Sequence, residues 1–478
     1  MEYEPHNIPL VYVLDPKSKD AKAQADLHKT SKADLLKCFR TEAEVPTPPT
    51  SGALIVDLSV IVQVLGDGHN CTTYRDFYAK VYDHIIAMGK SYERIDIVTD
   101  NYLSPHPLKE ITRKGRGSGA QVQFSEESSF NGPQFREHVL TNVNNKCLLY
   151  KQMINFMYHK SLVNTKLIVM TDQEKVLSND ESLVMEDCSH LEADYRIITH
   201  ACHIVRHSKI FTITVRSSDT DVVILLISYL HFLQEISYEI VELVSWCGGG
   251  KDHQYYMSIR RVVAFLTPAK CRGLSFLHAF SGCDYIEGFY MHGKKKWMDA
   301  YLAHETIHDT FAALTRFPQN RLERTVLDAV EGFVCKVYLV DPDDGLAAGR
   351  LDLVRRKTLK SLRWLPPSRE ALKQHLYRSV YVAGCIWGTA WQSQPECPDP
   401  TFWGWCYRDH VLYPLWTEKI GNHKDLTDSL FKKCMCKKRC PVTNLIKCSA
   451  CDCRRLDKGC YSHCACRGEC CQCSECDI

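Results

Sequence analysis

The sequence predicts an α/β fold whose mostly parallel sheet is covered by helices on both faces. The main observation is an alternation from Ala53 onward, in which short apolar runs rich in Val and Ile are followed by longer amphipathic segments. A second is the hydrophobic content, 45% of 478 residues, which is enough for a sizeable core. Strands that alternate with helices are typical of parallel sheets, because each parallel connection must cross back over the sheet.

The elements follow in chain order from these patterns. The predicted strands are ALIVDLSVIVQ, YERIDIVTD, TKLIVMTD, KIFTITVRSSDTD and YEIVELVSW. The predicted helices between them include TTYRDFYAKVYDHIIAM, LEADYRIITHACHIV and DVVILLISYLHFL, and CRGLSFLHAFSGCDY is expected to lead into a further helix. A possible short helix around residues 33–39 precedes the first strand.

Composition divides the chain into four predicted regions. Residues 1–50 form an N-terminal arm that ends in the breaker VPTPPTSG, and residues 51–300 form the α/β domain. Residues 301–430 combine helical patterns with an aromatic, Pro-rich stretch that is expected to be irregular but packed. Residues 431–478 form a Cys-rich module.

Charge and hydrophobicity argue against a strongly basic, a membrane-spanning or a secreted protein. The formal net charge is +2, so any surface that binds nucleic acid has to be local. The longest apolar run, residues 222–233, is shorter than a bilayer requires, and the acidic, Pro-interrupted start is unlike a signal peptide. We therefore expect an intracellular protein with no membrane partner.

Acidic residues stand where predicted strands end or helices begin, in five separate segments. Because the carboxyl ends of neighbouring parallel strands meet at one crevice, these carboxylates are expected to converge. Grouped carboxylates repel one another unless cations lie between them, and hard oxygen ligands suit Mg²⁺ or Mn²⁺. The sequence thus predicts a metal-dependent phosphodiesterase that uses two ions. Its candidate catalytic residues are Asp57, Asp100, Glu192, Asp194, Asp219, Asp221 and Asp284.

Any one of these residues alone would be interpreted as an ordinary turn or cap residue. Together they lie in the motifs ALIVD, VTDNYLSPHPLKEITRKGRG, LEADYR, SSDTD and SGCDYIEGFYMHGKKKW. In order and context these motifs resemble the flap-endonuclease/XPG branch of the PIN-like nucleases, over about 53–300. The resemblance implies a PIN-like fold and two-metal cleavage of nucleic acid. It implies that Asp57, Asp100, Glu192 and Asp194 surround one ion and that Asp219, Asp221 and Asp284 complete the second.

The same resemblance implies contacts with the phosphate backbone of DNA. Candidates to neutralise the scissile phosphate are Lys109, Arg113 and Lys114. Candidates to follow the backbone are Gly288, Gly293, Lys294 and Lys295. A solvated basic surface is the alternative for the lysines. The segment 101–180 lacks the strongly basic helix through which that family threads a DNA flap.

Thirteen of the 25 cysteines lie between Cys434 and Cys476. Thiolates bind zinc tetrahedrally, and spacings of one to six residues let neighbouring ligands share an ion. The spacing resembles a tesmin-type CXC domain, which implies three Zn²⁺ ions held by bridging thiolates, and contact with DNA. A structural zinc module that mediates protein contacts is the alternative. The candidate zinc ligands are Cys434, Cys436, Cys440, Cys451, Cys453, Cys460, Cys464, Cys466 and Cys470.

The leading hypothesis is a nuclear, Mg²⁺-dependent, structure-selective DNA endonuclease oriented by its zinc module. The chain as a whole also resembles multicopy, uncharacterised animal proteins whose multiplicity indicates mobile-element ancestry. The alternative hypothesis is therefore a non-catalytic PIN-like scaffold that acts as a transposon-derived DNA-binding or chromatin protein. A third keeps the enzyme and makes RNA its substrate.

Overall fold

A computed structural model describes most of the chain from Lys32 to Leu415. The described residues are 32–102, 108, 119–247, 254–316, 322–343, 345–355, 365–408 and 411–415. They form a mixed α/β structure with a mostly parallel, eight-stranded sheet flanked by helices, which confirms the predicted fold class. The first 31 residues lie outside the described residues, as does the whole Cys-rich module.

Eight strands form the sheet. They are β1 (Glu44–Val45), β2 (Ala53–Asp57), β3 (Arg94–Val98), β4 (Leu167–Asp172), β5 (Lys175–Ser178), β6 (Thr212–Arg216), β7 (Glu242–Cys247) and β8 (Tyr255–Ser258). Their order in the sheet is β1-β8-β7-β6-β2-β3-β4-β5. The five central strands, β7-β6-β2-β3-β4, pair in parallel, and the edge strands pair antiparallel. Strands β2 and β3 are buried along their whole length, as expected for strands covered on both faces.

Helices make up most of the remaining described chain. They are α1 (Ala33–Ala43), α2 (Leu58–Leu65), α3 (Tyr74–Met88), α4 (Val143–Ser161), α5 (Ala193–His207), α6 (Thr220–Ser237), α7 (Ile259–Ala264), α8 (Pro268–Phe280), α9 (Lys294–Ala303), α10 (His308–Leu314), α11 (Arg324–Tyr338), α12 (Gly345–Arg355) and α13 (Arg369–Val380). Shorter helical turns lie at Gly132–Gln134, Phe135–Val139, Glu305–Ile307, Tyr381–Ile386 and Pro400–Trp403.

Different helices cover the two faces of the sheet, because side chains alternate along each strand. Leu54 and Val56 of β2 point to a core formed with α2, α3 and α4. Ala53 and Ile55 point to a second core formed with α5, α6 and α8. This second core continues into α10, α11 and α13, so the helical region and the α/β region share one apolar interior. The domain boundaries at residues 300 and 430 stay predictions.

Helix α6 runs through the second core. Within the described part of the chain, it is the one helix long and apolar enough to cross a membrane by length and composition, and 56% of its span is buried inside the protein. Leu225, Leu226 and Leu230 belong to the apolar cluster beneath the sheet. A core helix with this composition passes the same test as a membrane span.

Three local expectations were wrong. The second half of the predicted strand ALIVDLSVIVQ is helix α2, which Asp57 caps by accepting the Ser59 N–H at 3.0 Å. The segment CRGLSFLHAF does not lead into a helix but is itself most of α8, which Thr267 caps by accepting the Lys270 N–H at 3.2 Å, with Pro268 in the first turn. The stretch expected to be irregular contains an antiparallel pair, β9 (Trp405–Arg408) and β10 (Val411–Pro414). Its packing was as expected, since Trp403 and Trp405 are buried.

A buried ion pair joins the segment after α8 to α13. Glu287 accepts hydrogen bonds from the Arg378 guanidinium and from His375 Nδ1, the latter at 2.9 Å. All three side chains are at most 2% exposed. Burial alone would raise the pKa of Glu287, but the charges of Arg378 and His375 outweigh it and lower the pKa to about 2.

We expect Glu287→Gln to lower the free energy of unfolding at pH 7 by about 3–5 kcal/mol, because it leaves the Arg378 charge buried without a counter-ion. The pKa of Glu287 is below the value of about 4.3 in an unfolded chain, so its contribution is complete above that pH and is lost as the pH falls towards 2. Urea unfolding of both proteins should therefore give a difference that shrinks on acidification. The exposed Glu186→Gln is the control, and a difference at pH 7 no larger than that control would contradict the role of the pair.

Candidate metal centre at the carboxyl edge of the sheet

The carboxyl ends of β2 and β6 lie where the strand order reverses. From β2 the chain proceeds to β3 and β4 on one side, whereas β6 and β7 lie on the other side. In an open α/β sheet such a reversal leaves a crevice between the two adjacent strands, because their connections leave in opposite directions. Asp57 ends β2, and Asp219 caps the helix that follows β6, so both stand at this crevice.

Asp57 is buried and held on both of its oxygens. Its Oδ1 accepts hydrogen bonds from the Ser59 backbone N–H at 3.0 Å and the Ser59 hydroxyl at 2.6 Å. Its Oδ2 accepts one from the Ser217 hydroxyl, across from β6, at 3.2 Å. Burial raises the pKa of Asp57 to about 6, since the hydrogen bonds from Ser59 offset only part of it and the charge of Asp100 adds to it. A nearby cation would favour the ionised form of this group.

The start of α5 brings three further carboxylates together. Asp100 Oδ1 accepts the backbone N–H of Ala193 at 2.9 Å, and its Oδ2 accepts the Tyr102 hydroxyl at 2.8 Å. Ala193 lies between Glu192 and Asp194, so Asp100 is tied to the segment that carries both. The partial positive charge of a helix N-terminus stabilises carboxylates placed there.

Two tyrosines hold Glu192 in place. Glu192 Oε2 accepts hydrogen bonds from the Tyr195 hydroxyl, at 2.8 Å, and from the Tyr285 hydroxyl. Burial and the charge of Glu192 raise the pKa of both tyrosines well above the usual value, so both stay protonated donors. Because Tyr285 directly follows Asp284, this contact also brings the Asp284 segment to the start of α5.

Asp194, Asp219 and Asp221 form the tightest acidic cluster. One carboxylate oxygen from each lies within 4.8 Å of the others. Asp219 Oδ1 accepts the backbone N–H of Asp221 at 2.9 Å, which fixes the start of α6. Burial and the charge of Asp221 raise the pKa of Asp219. Oxygens around one Mg²⁺ ion are separated by roughly 3–4 Å, so this cluster is close to the size of a single cation site.

The ammonium of Lys32, just before α1, lies among these carboxylates. Its Nζ is 2.8 Å from Asp221 Oδ2, 3.2 Å from Asp284 Oδ1 and 3.9 Å from Asp219 Oδ1. Burial alone would lower the pKa of Lys32, but the three carboxylates outweigh it and raise the pKa. Sequence reasoning missed this residue, because nothing in the Lys-rich arm distinguishes Lys32 from its neighbours.

His278 supports Asp221 from behind. Its Nε2 lies 2.8 Å from Asp221 Oδ1, and the ring is 0% exposed. Burial and the charge of Lys294 lower the pKa of His278 to about 4, so the neutral ring donates its N–H to the carboxylate. Burial would raise the pKa of Asp221, but Lys32 and His278 outweigh it and lower the pKa. The only sequence signal for His278 is its position in HAFSGCD, six residues before the candidate ligand Asp284.

Lys294 does not lie where a contact with a phosphate backbone requires it. The residue is 1% exposed, and its Nζ donates to the backbone carbonyl of His278 and, at 3.0 Å, to the Ser281 hydroxyl. Burial lowers the pKa of Lys294 to about 7. The first turn of α9 points this side chain into the protein. Instead of contacting a substrate, Lys294 fixes the segment that carries His278 and Ser281.

The other predicted substrate residues fall into three groups. Gly288 is buried, which also removes it from a backbone contact, whereas Gly293 is exposed at the start of α9. Lys295 is exposed, and its Nζ lies 2.7 Å from Asp299. The remaining candidates lie outside the described residues: Lys109, Arg113, Lys114 and the nine proposed zinc-ligating cysteines.

No family model and no curated protein matches the chain. Among solved structures, the fold is similar to that of flap endonuclease-1 from Methanococcus jannaschii, with 14% sequence identity over 70% of this chain and 92% of that chain. The TM-score is 0.30, which is too low for the similarity to carry an argument about chemistry. What the centre can do therefore has to be argued from its own residues.

We expect Tyr285→Phe to weaken Mn²⁺ binding about 10-fold, because it removes a hydroxyl that orients Glu192, and such supporting contacts typically contribute this much to metal affinity. Titration followed by the electron paramagnetic resonance signal of free Mn²⁺ would measure it. Tyr238→Phe, at an exposed position, is the matched control. Unchanged affinity in a folded Tyr285→Phe protein would show that Glu192 needs no such support.

Proposed function

We propose that this chain is a Mg²⁺-dependent, structure-selective DNA endonuclease that hydrolyses phosphodiester bonds. The observation that carries the proposal is the convergence of seven carboxylates, from five segments of the chain, on the crevice between β2 and β6. Such a set of anionic oxygens is stable only with cations among them, and hard oxygen donors suit Mg²⁺ or Mn²⁺. The ammonium of Lys32 is in direct contact with two of these carboxylates.

The residues fit two neighbouring ions. Asp194, Asp219 and Asp221 would hold one, since their oxygens are already grouped. This differs from the arrangement that the resemblance implied, in which Asp194 belonged to the other ion. Asp57, Asp100 and Glu192 line the adjoining part of the crevice and would hold the second. Bound ions of this kind polarise a phosphate and lower the pKa of a coordinated water to near neutrality.

The surrounding residues of the chain fix the carboxylates. Ser59 and Ser217 orient both oxygens of Asp57, and the backbone of Ala193 orients Asp100. His278 is fully buried behind Asp221, so it positions that carboxylate and does not reach a substrate. A preorganised ligand set of this kind reduces the reorganisation needed during reaction.

A depression next to the centre offers room for part of a nucleic-acid strand. It has a volume of about 400 Å³ and is lined by Val60, Gln63, Val64, Arg136, Leu140 and Ser218. Ser218 directly precedes Asp219, so the depression borders the acidic cluster. Apolar side chains can pack against a nucleoside, while exposed Arg136 supplies charge for a phosphate.

The remaining parts of the proposal rest on the sequence. The preference for DNA and the nuclear location follow from the CXC-like pattern in residues 431–478, whose nine cysteines are proposed to bind three Zn²⁺ ions. Selectivity for the shape of the substrate follows from the resemblance of the motifs in 53–300 to the flap-endonuclease/XPG branch.

Cleavage of labelled single-stranded, flap, hairpin and duplex DNAs, with matched RNAs, would test the activity. With Mg²⁺ or Mn²⁺ we expect the wild-type chain to cut at least one branched or single-stranded DNA. Asp219→Ala/Asp221→Ala should lose at least about 10³-fold in rate, because it removes two of the three clustered ligands. Glu181→Ala/Glu186→Ala removes two exposed carboxylates elsewhere and should cut normally. No cutting of any DNA or RNA by a folded, metal-loaded wild type would refute the enzyme, and cutting of RNA alone would refute the choice of DNA.

Arg136→Ala should raise KM for the DNA that is cut by about 10-fold with little change in kcat, because one charged hydrogen bond to a phosphate contributes about 1.5 kcal/mol to binding. Steady-state kinetics would separate the two constants. Arg206→Ala is the control, since this exposed arginine lies near the opposite end of α5 from Glu192. Equal effects of the two variants would show that the depression does not hold the strand.

A further inference from the structure

The ammonium of Lys32 lies among three carboxylates of the metal centre. Its Nζ contacts Asp221 Oδ2 at 2.8 Å and Asp284 Oδ1 at 3.2 Å, and approaches Asp219 Oδ1 at 3.9 Å. These three carboxylates come from two separate segments, the start of α6 and the segment after α8. The ammonium therefore bridges parts of the chain that a bound divalent ion would otherwise have to bridge.

Helix α1, which begins at the next residue, fixes the position of the Lys32 backbone relative to the carboxylates. Leu35, Leu36 and Phe39 of α1 are buried in the large apolar core shared by α5, α6 and α8. The helix is thus fixed to the body of the protein, and it holds Lys32 at the mouth of the crevice, where its side chain is 20% exposed. A lysine side chain has four rotatable carbon–carbon bonds, so the ammonium can leave the carboxylates without movement of α1.

An ammonium and a divalent ion compete for the same oxygen of Asp221. Mg²⁺ binds carboxylate oxygens at about 2.0–2.1 Å, and an ammonium 2.8 Å from that oxygen would then face a strong repulsion at short range. Binding of the ion therefore weakens the lysine contact, and the lysine contact opposes binding of the ion.

We propose that Lys32 is an internal competitor for the divalent cation, whose ammonium holds the centre in a resting state and withdraws when metal binds. The inference rests on the metal centre of the proposed function but not on nuclease activity. In the resting state the lysine offsets part of the negative charge of the carboxylates and keeps Asp284 next to Asp221. Lys32 thereby sets the metal concentration at which the centre fills, because each binding event must displace its ammonium.

Metal affinity in the absence of substrate tests the competition. Lys32→Met keeps most of the side-chain length and removes the charge, so the full chain should bind Mn²⁺ at least about 10-fold more tightly than wild type in titrations followed by electron paramagnetic resonance. Lys32→Arg keeps the charge and should bind within about 3-fold of wild type. Lys37→Met, on the exposed face of α1 where Lys37 pairs with Asp34, should match wild type.

Lysine reactivity gives a second readout that does not depend on a variant. In the wild-type chain, acetylation of Lys32 by an N-hydroxysuccinimide ester, quantified by mass spectrometry, should be slow without metal and should rise several-fold with Mn²⁺. Acetylation of Lys37 should not change. Tighter Mn²⁺ binding by Lys32→Met together with this rise would support the competition even if no nucleic acid is cut.

Three outcomes would overturn the inference. Mn²⁺ affinity of Lys32→Met equal to or weaker than that of wild type would show that the lysine does not compete. Unchanged Lys32 reactivity on metal addition would show that the ammonium stays in place. Absence of Mn²⁺ binding by every variant would remove the centre itself, which is distinguishable from a metal-binding chain that simply lacks nuclease activity.

Discussion

The mutual repulsion of carboxylates gathered at one crevice is the constraint on which the centre depends. Asp57 is buried with an elevated pKa, and Asp219 has its pKa raised by burial and by Asp221. Hydrogen-bond donors surround these carboxylates: the hydroxyls of Ser59 and Ser217 donate to Asp57, and the backbone N–H of Ala193 donates to Asp100. These hydrogen bonds offset only part of the electrostatic repulsion among the carboxylates. The centre therefore favours the binding of cations.

Local patterns identified the central strands because burial on both faces leaves little freedom in their composition. The apolar runs around Ile55, Ile97 and Val215 each became a central parallel strand. The antiparallel strands β1, β5 and β8, of two to four residues, have no such run and were not predicted. Pairing of such short strands depends on the neighbouring strand more than on composition. Helix α8 begins earlier than predicted, because its cap, Thr267, lies before the apolar run that indicated a helix.

The acidic residues of the centre were accessible to sequence reasoning, and their supports were not. Topology alone brings the ends of parallel strands together, so Asp57, Asp100 and Asp219 could be assigned to one crevice. Lys32 and His278 reach it from 189 and 57 residues away from Asp221, and no periodic pattern encodes such contacts. The same limitation explains Lys294, whose place next to a glycine-containing motif indicated an exposed contact while its side chain lies inside the protein.

Residues 387–390, which follow the α/β region, contact the helices and the histidine that support the metal centre. The Thr199 hydroxyl donates to the carbonyl of Ala390 at 2.7 Å, and the Tyr229 hydroxyl donates to that of Trp387 at 2.7 Å. The indole of Trp387 also stacks on the ring of His278, with centroids 5.6 Å apart. A chain shortened to the α/β region would expose His278 and release α5 and α6. The smallest unit that can preserve this centre therefore extends past Trp387 and Ala390, far beyond Asp284, the last carboxylate of the centre.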